Sequence, residues 1–173
     1  KPVKGPSRTN TEFPTSKLGK KLAQVSQFIQ SGFSTQVYYV SHNGFDSHVN
    51  QNNSQNKLLK DYSDSVSALV KSLEKSGELD STLILTFSEF GRRVKENGSA
   101  GTDHGKANNL FIIGNHLKKP GIYNDAPNLD NLDDGDISYK VDFRNVYSDI
   151  INEWFKKDSS EIISKNFDQL GII

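Results

Sequence analysis

Two groupings of carboxylate and imidazole stand out in this sequence by residue type and spacing. Asp46 and His48 lie two residues apart in HNGFDSH, and the stretch SEFGRRVKENGSAGTDHG carries Glu89 near its start and Asp103-His104 near its end. Carboxylate oxygens and imidazole nitrogens gathered at one point suit Zn, Mn or Fe. Asp46, His48, Glu89 and His104 are therefore the candidate ligands of a divalent metal, Zn or else Mn, Ca or Mg. Arg92 and Arg93 offer guanidinium forks that match phosphate or sulfate, which makes them candidate substrate-binding residues. Glycines at 91, 98, 101 and 105 would let the backbone turn tightly and approach a ligand closely. Each residue also has an ordinary alternative. Asp46 fits an Asx-turn, Glu89 a helix start or an arginine partner, and either arginine a solvated charge. His42 and His116 read as surface groups or as supports behind the ligands.

The elements that must position these residues follow from periodicity. Residues 1–15 hold three of the five prolines and no pattern, and read as an extended arm or linker ahead of a domain over 16–173. After Ser16, a suitable N-cap, Leu18, Leu22, Val25 and Ile29 mark one helical stripe that ends at Ser31-Gly32. QVYYVS at 36–41 is short, β-branched and aromatic, as a buried strand should be. A second helix is expected over about 55–76, stopped by Ser76-Gly77. STLILTF at 81–87 and NLFIIG at 109–114 read as strands. Phe143, Val146, Tyr147, Ile150, Ile151 and Trp154 line a last helix, with Asp142 standing at its N-cap.

Strand, helix, strand with a long crossover is a βαβ unit, so 36–41 and 81–87 are expected to be parallel neighbours. Ligands bind outside the carboxyl ends of such strands, where HNGFDSH and SEFGRR both begin. The 109–114 strand is expected to run antiparallel to 81–87, because that brings GTDHG to the same edge. The expected fold class is α/β, a mixed, mainly parallel sheet flanked by helices, and the 88–109 stretch is expected to be a long functional loop.

Composition narrows the partners. Lysine plus arginine and aspartate plus glutamate both total 21, with no long run of one sign, so the basic footprint of a nucleic-acid binder is missing. The lack of cysteine excludes disulfides, thiolate ligands and a cysteine nucleophile. No apolar run approaches the ~18 residues of a membrane span. Hydrophobic residues make up 34%, below the roughly 45–50% apolar share of ordinary domains, so a thin core is expected. The absence of methionine reads as a processed or excised chain.

GFDSHVNQ, TFSEFGRRVKENGSAGTDHG, LFIIG and VDFRNVY, in this order, resemble the C-terminal half of a bacterial domain-of-unknown-function family, sulfatase-like, within the alkaline phosphatase superfamily. That resemblance implies an alkaline phosphatase-like fold, present in part, and a metal-dependent hydrolase of phosphate or sulfate esters. A small ester or a sulfated or phosphorylated glycan would be the substrate. It also implies a periplasmic, cell-surface or secreted location. Asp46, His48 and His104 would share one metal, and Glu89 would stand where the superfamily has an aspartate. Phe90 then occupies the place of a ligating histidine and cannot ligate. The superfamily's serine or threonine nucleophile has no counterpart in this chain. The alternative is a non-catalytic exported binding or scaffolding module that keeps the fold.

Overall fold

Leu18 and Leu22 are buried on the inner face of α1 (Lys17–Gln30), whose N-terminus is capped by the Ser16 hydroxyl accepting from the Gly19 amide. The computed structural model describes residues 10–165 and 167–173, so the arm expected over 1–15 lies, for residues 1–9, outside the described residues. The chain divides into two compact units. One runs up to Thr82 and takes in Glu96–Thr102; the other comprises Leu83–Lys95 and Asp103–Ile173.

In the first unit α1 packs on α2 (Gln51–Ser76), which buries Val66, Leu69 and Leu73. Small polar side chains share this seam. The Ser26 hydroxyl donates to Ser72 at 2.9 Å, and the Gln30 side-chain amide donates to Ser26 at 2.7 Å and to Ser72 at 3.0 Å. Buried polar groups must be satisfied in this way, because an orphaned one costs about 1–3 kcal/mol. α2 ends where Ser76-Gly77 says it should, with Gly77 at φ +74° and its amide bonded to the Glu74 carbonyl. Its start at Gln51 lies four residues ahead of the expected one. Asn50 makes no side-chain cap there; instead the Asn50 and Gln51 amides donate to the carbonyls of Ser99 and Ala100.

The second unit is built on β1 (Ile84–Thr86) and β4 (Phe111–Ile113), which pair antiparallel with Ile84 opposite Ile113 and Thr86 opposite Phe111. Leu83 and Leu85 from one strand region and Leu110 and Ile112 from the other alternate inward, as the period of two requires. They pack against Val146, Ile150, Ile172 and Ile173. Val146 belongs to α3 (Phe143–Asp149), which runs on into a π-helical turn, Ile150–Trp154; a short α4 (Ser160–Ile163) follows. Asp142 caps α3 by accepting from the Arg144 amide. Between β1 and β4 the chain forms a two-stranded sheet of β2 (Gly91–Glu96) and β3 (Thr102–Gly105). No helix among the described residues is long and apolar enough to cross a membrane.

The expected mixed, mainly parallel sheet is overturned. Residues 36–41 form no strand: Val37 and Tyr39 are 68% and 77% exposed, and Tyr38 stacks on Phe28 instead of entering a ladder. Without that strand there is no βαβ unit and no shared carboxyl edge. The sheets present are two antiparallel pairs. The 88–109 stretch is likewise a β-hairpin in its middle and not a structureless loop. The Asn97-Gly98 pair, a strong hairpin signal between the two halves of the stretch, is the cue that marks it.

Two predictions follow from the capping carboxylates. Asp149 is fully buried and accepts the Leu170 amide at 2.9 Å and the Ile172 amide at 2.8 Å, so it fastens the C-terminal segment to the core beside the Asn145 side-chain amide on the Asp168 carbonyl. Asp149→Ala strands both amides and should lower stability by about 2–4 kcal/mol, read as a lower urea midpoint. The side-chain bond from Arg144 holds the Asp142 carboxyl below the usual carboxylate range. A depressed folded value means that the cap contributes above the unfolded carboxylate pKa and is lost as pH falls through the folded one. An acid titration followed at the Arg144 amide by NMR should show that loss.

Candidate metal centre

The segment before α2 carries the first two candidate ligands. Ser47 turns back through its amide to the Phe45 carbonyl at 2.9 Å, which leaves Asp46 and His48 projecting together. Asp46 Oδ1 and His48 Nε2 are 2.9 Å apart, and both side chains are exposed. His42, just upstream, is 3.2 Å from the Leu58 carbonyl and lies edge-on to Phe45, so it ties this segment to α2.

The tip of the hairpin is bolted to the same backbone. The Asn97 side-chain amide donates to the His48 carbonyl at 3.1 Å. Its oxygen accepts from the Ser99 amide at 2.9 Å and the Gly101 amide at 3.2 Å, closing the turn. Thr102 donates through both its amide and its hydroxyl to Gln51 Oε1, at 2.7 and 2.8 Å. Gly101 lies flush against the segment: a Cβ built there would stand 2.3 Å from the His48 carbonyl oxygen. Asn97 and Gln51 had no place in the sequence-level site, and only the Asn-Gly pair pointed to the first of them.

His104 follows two residues after Thr102. Its ring stacks on Phe90, with centroids 3.7 Å apart and planes 10° from parallel. The Arg92 guanidinium carbon lies 5.1 Å from the same Phe90 ring. Arg93 Nη2 donates to the Asp134 carbonyl at 2.6 Å. Behind β3, Asp136 is buried and accepts the Lys106 amide at 2.9 Å and the Ile137 amide at 3.1 Å. The Lys106 side chain bonds Asp133, which raises the lysine pKa.

Asp46 and His48 belong to the first compact unit and His104 to the second. Glu89 is exposed and also belongs to the second unit. The pair in the first unit offers one carboxylate oxygen and one imidazole nitrogen, donors that zinc and its neighbours accept.

A family model described as "Protein of unknown function (DUF1501)" matches residues 16–156. The chain belongs to this family. No curated protein and no solved structure matches the chain. The further assignment of this DUF1501 member to the sulfatase-like or alkaline phosphatase superfamily does not hold. The family match carries no such link, and two short antiparallel sheets are not that superfamily's architecture. The superfamily's serine or threonine nucleophile, for which this chain has no counterpart, rested on that assignment and falls with it.

The packing at Gly101 generates a prediction for this DUF1501 chain. Gly101→Val forces the hairpin tip off the His48 carbonyl, and overpacking of this kind typically costs about 1–3 kcal/mol. Amide hydrogen exchange at Asn50 and Gln51, whose acceptors are Ser99 and Ala100, should accelerate. Unchanged protection at both amides would contradict the packing described.

Proposed function

We propose that this chain binds a divalent cation through Asp46 and His48 and uses it to hydrolyse a phosphate or sulfate ester. The observation that carries the reading is the 2.9 Å spacing of Asp46 Oδ1 and His48 Nε2. Metal–ligand bonds of about 2.0–2.2 Å separate neighbouring ligand atoms by roughly 3–4 Å, so a small side-chain adjustment suffices. Two protein ligands leave coordination positions for water and substrate. When bound, such an ion polarises an ester oxygen and acidifies coordinated water. Arg92 and Arg93, in the second unit, carry guanidinium groups that match phosphate or sulfate, and Arg93 gives one donor to Asp134. The exposure of both candidate ligands suits a large substrate, such as a phosphorylated or sulfated glycan.

That same exposure favours a second reading, a non-catalytic binding module that carries a cation at its surface. Electrostatic catalysis draws much of its strength from excluding water, and an open site forgoes part of it.

Calorimetry with Zn²⁺ and Mn²⁺ tests the cation site. His48→Ala and Asp46→Ala should each weaken binding by tenfold or more. Turnover of aryl phosphate or aryl sulfate by the metal-loaded chain, lost in His48→Ala, supports the hydrolase. Metal uptake without turnover supports the binding module. Equal uptake by the parent and both variants would remove both readings.

A further inference from the structure

We infer that Asn97 is a site of spontaneous covalent modification: its side-chain amide is lost to attack by the Gly98 backbone nitrogen, and the carboxylate left behind releases the hairpin tip from the His48 carbonyl. Glycine puts no side chain in the way of such an attack, and Gly98 stands in open space, with nothing within 4 Å of where a Cβ would be. The Gly98 amide gives its proton to hydroxide, and its nitrogen bonds to Asn97 Cγ. The Cγ–Nδ2 bond then breaks, and ammonia leaves with a proton taken from water. Water opens the resulting five-membered imide at either carbonyl. The product is aspartate or, when the main chain is rerouted through the β-carbon, isoaspartate.

The docked hairpin holds the reacting side chain still. Asn97 Nδ2 donates to the His48 carbonyl at 3.1 Å, and Oδ1 accepts the Ser99 and Gly101 amides at 2.9 and 3.2 Å. The Asn97 amide itself donates to the Gly101 carbonyl at 2.8 Å. All of these partners lie in the first compact unit. Freedom to close the ring therefore comes when the tip opens, and an exposed turn opens at low local free energy. Once formed, the product cannot remake the contact. A carboxylate accepts and does not donate, so the bond to the His48 carbonyl becomes an approach of two oxygens. The same tip carries the Ser99 and Ala100 carbonyls that take the Asn50 and Gln51 amides, so the start of α2 loses its acceptors as well. Folding thus guards Asn97, and each opening risks an irreversible release.

Two measurements test this. The chain is held at mildly alkaline pH, folded and in urea, and sampled by ion exchange and peptide mapping. Aspartate and isoaspartate should accumulate at position 97 in both, about ten to a hundred times more slowly in the folded chain. Equal rates overturn the guarding role of the hairpin, and no product in the folded chain after full conversion in urea overturns the site. Amide hydrogen exchange is then compared between the parent, Asn97→Asp and the deamidated parent isolated by ion exchange. Exchange at Asn50 and Gln51 should accelerate about tenfold in the variant and in the isolated product, as expected when a polar contact is replaced by an unsatisfied one. Parental protection in the isolated product overturns the release even where Asn97→Asp fails to fold.

Discussion

The arrangement around Asp46 and His48 depends on one steric fact: the backbone at Gly101 sits flush on the carbonyl of His48, with no room for a side chain between them. Everything nearby is arranged to use that contact. Because the tip lies so close, Ser99 and Ala100 can take the amides that open α2, and Gln51 can reach back to Thr102. A helix start normally relies on its own N-cap side chain; this one borrows acceptors from a turn about fifty residues downstream. The segment that carries His48 and the start of β3 are consequently one hydrogen-bonded assembly.

A polar chain has solved its packing with polar means. Among the described residues the largest fully buried side chains are Leu73, Asp149 and the serines 26, 65, 72 and 148. Asp136 and Asp149 each accept two backbone amides from irregular segments, which have no ladder or helix to take them. The seam between α1 and α2 holds a serine–serine–glutamine network where many helix pairs would hold leucine. Directional bonds of this kind specify register where a thin apolar core would leave it loose.

Local chemistry was legible in the sequence and non-local pairing was not. Ser16, Gly77 and Asp142 mark their helix ends because the bonds they make lie within four residues. Residues 36–41 have the composition of a strand, but a strand exists only if a partner accepts its hydrogen bonds, and composition does not name the partner. The early start of α2 was hidden for the same reason, since its acceptors are at 99 and 100. For the candidate centre, residue types singled out Asp46 and His48, whose ligand atoms lie 2.9 Å apart, while His104 and Glu89 share their chemistry and belong to the other unit. Phe90 was set aside as a residue unable to ligate. Its stacking on His104 depends on the hairpin, which glycines and charges disguised as a loop.

The two crowded glycines change what a recurring motif can mean. At positions 91 and 101 even a methyl group would collide with the carbonyl of Ala107 or of His48, so any chain that folds this hairpin must keep them whether or not it ever meets a metal. Across relatives, persistence of these glycines therefore measures space and not selection for chemistry.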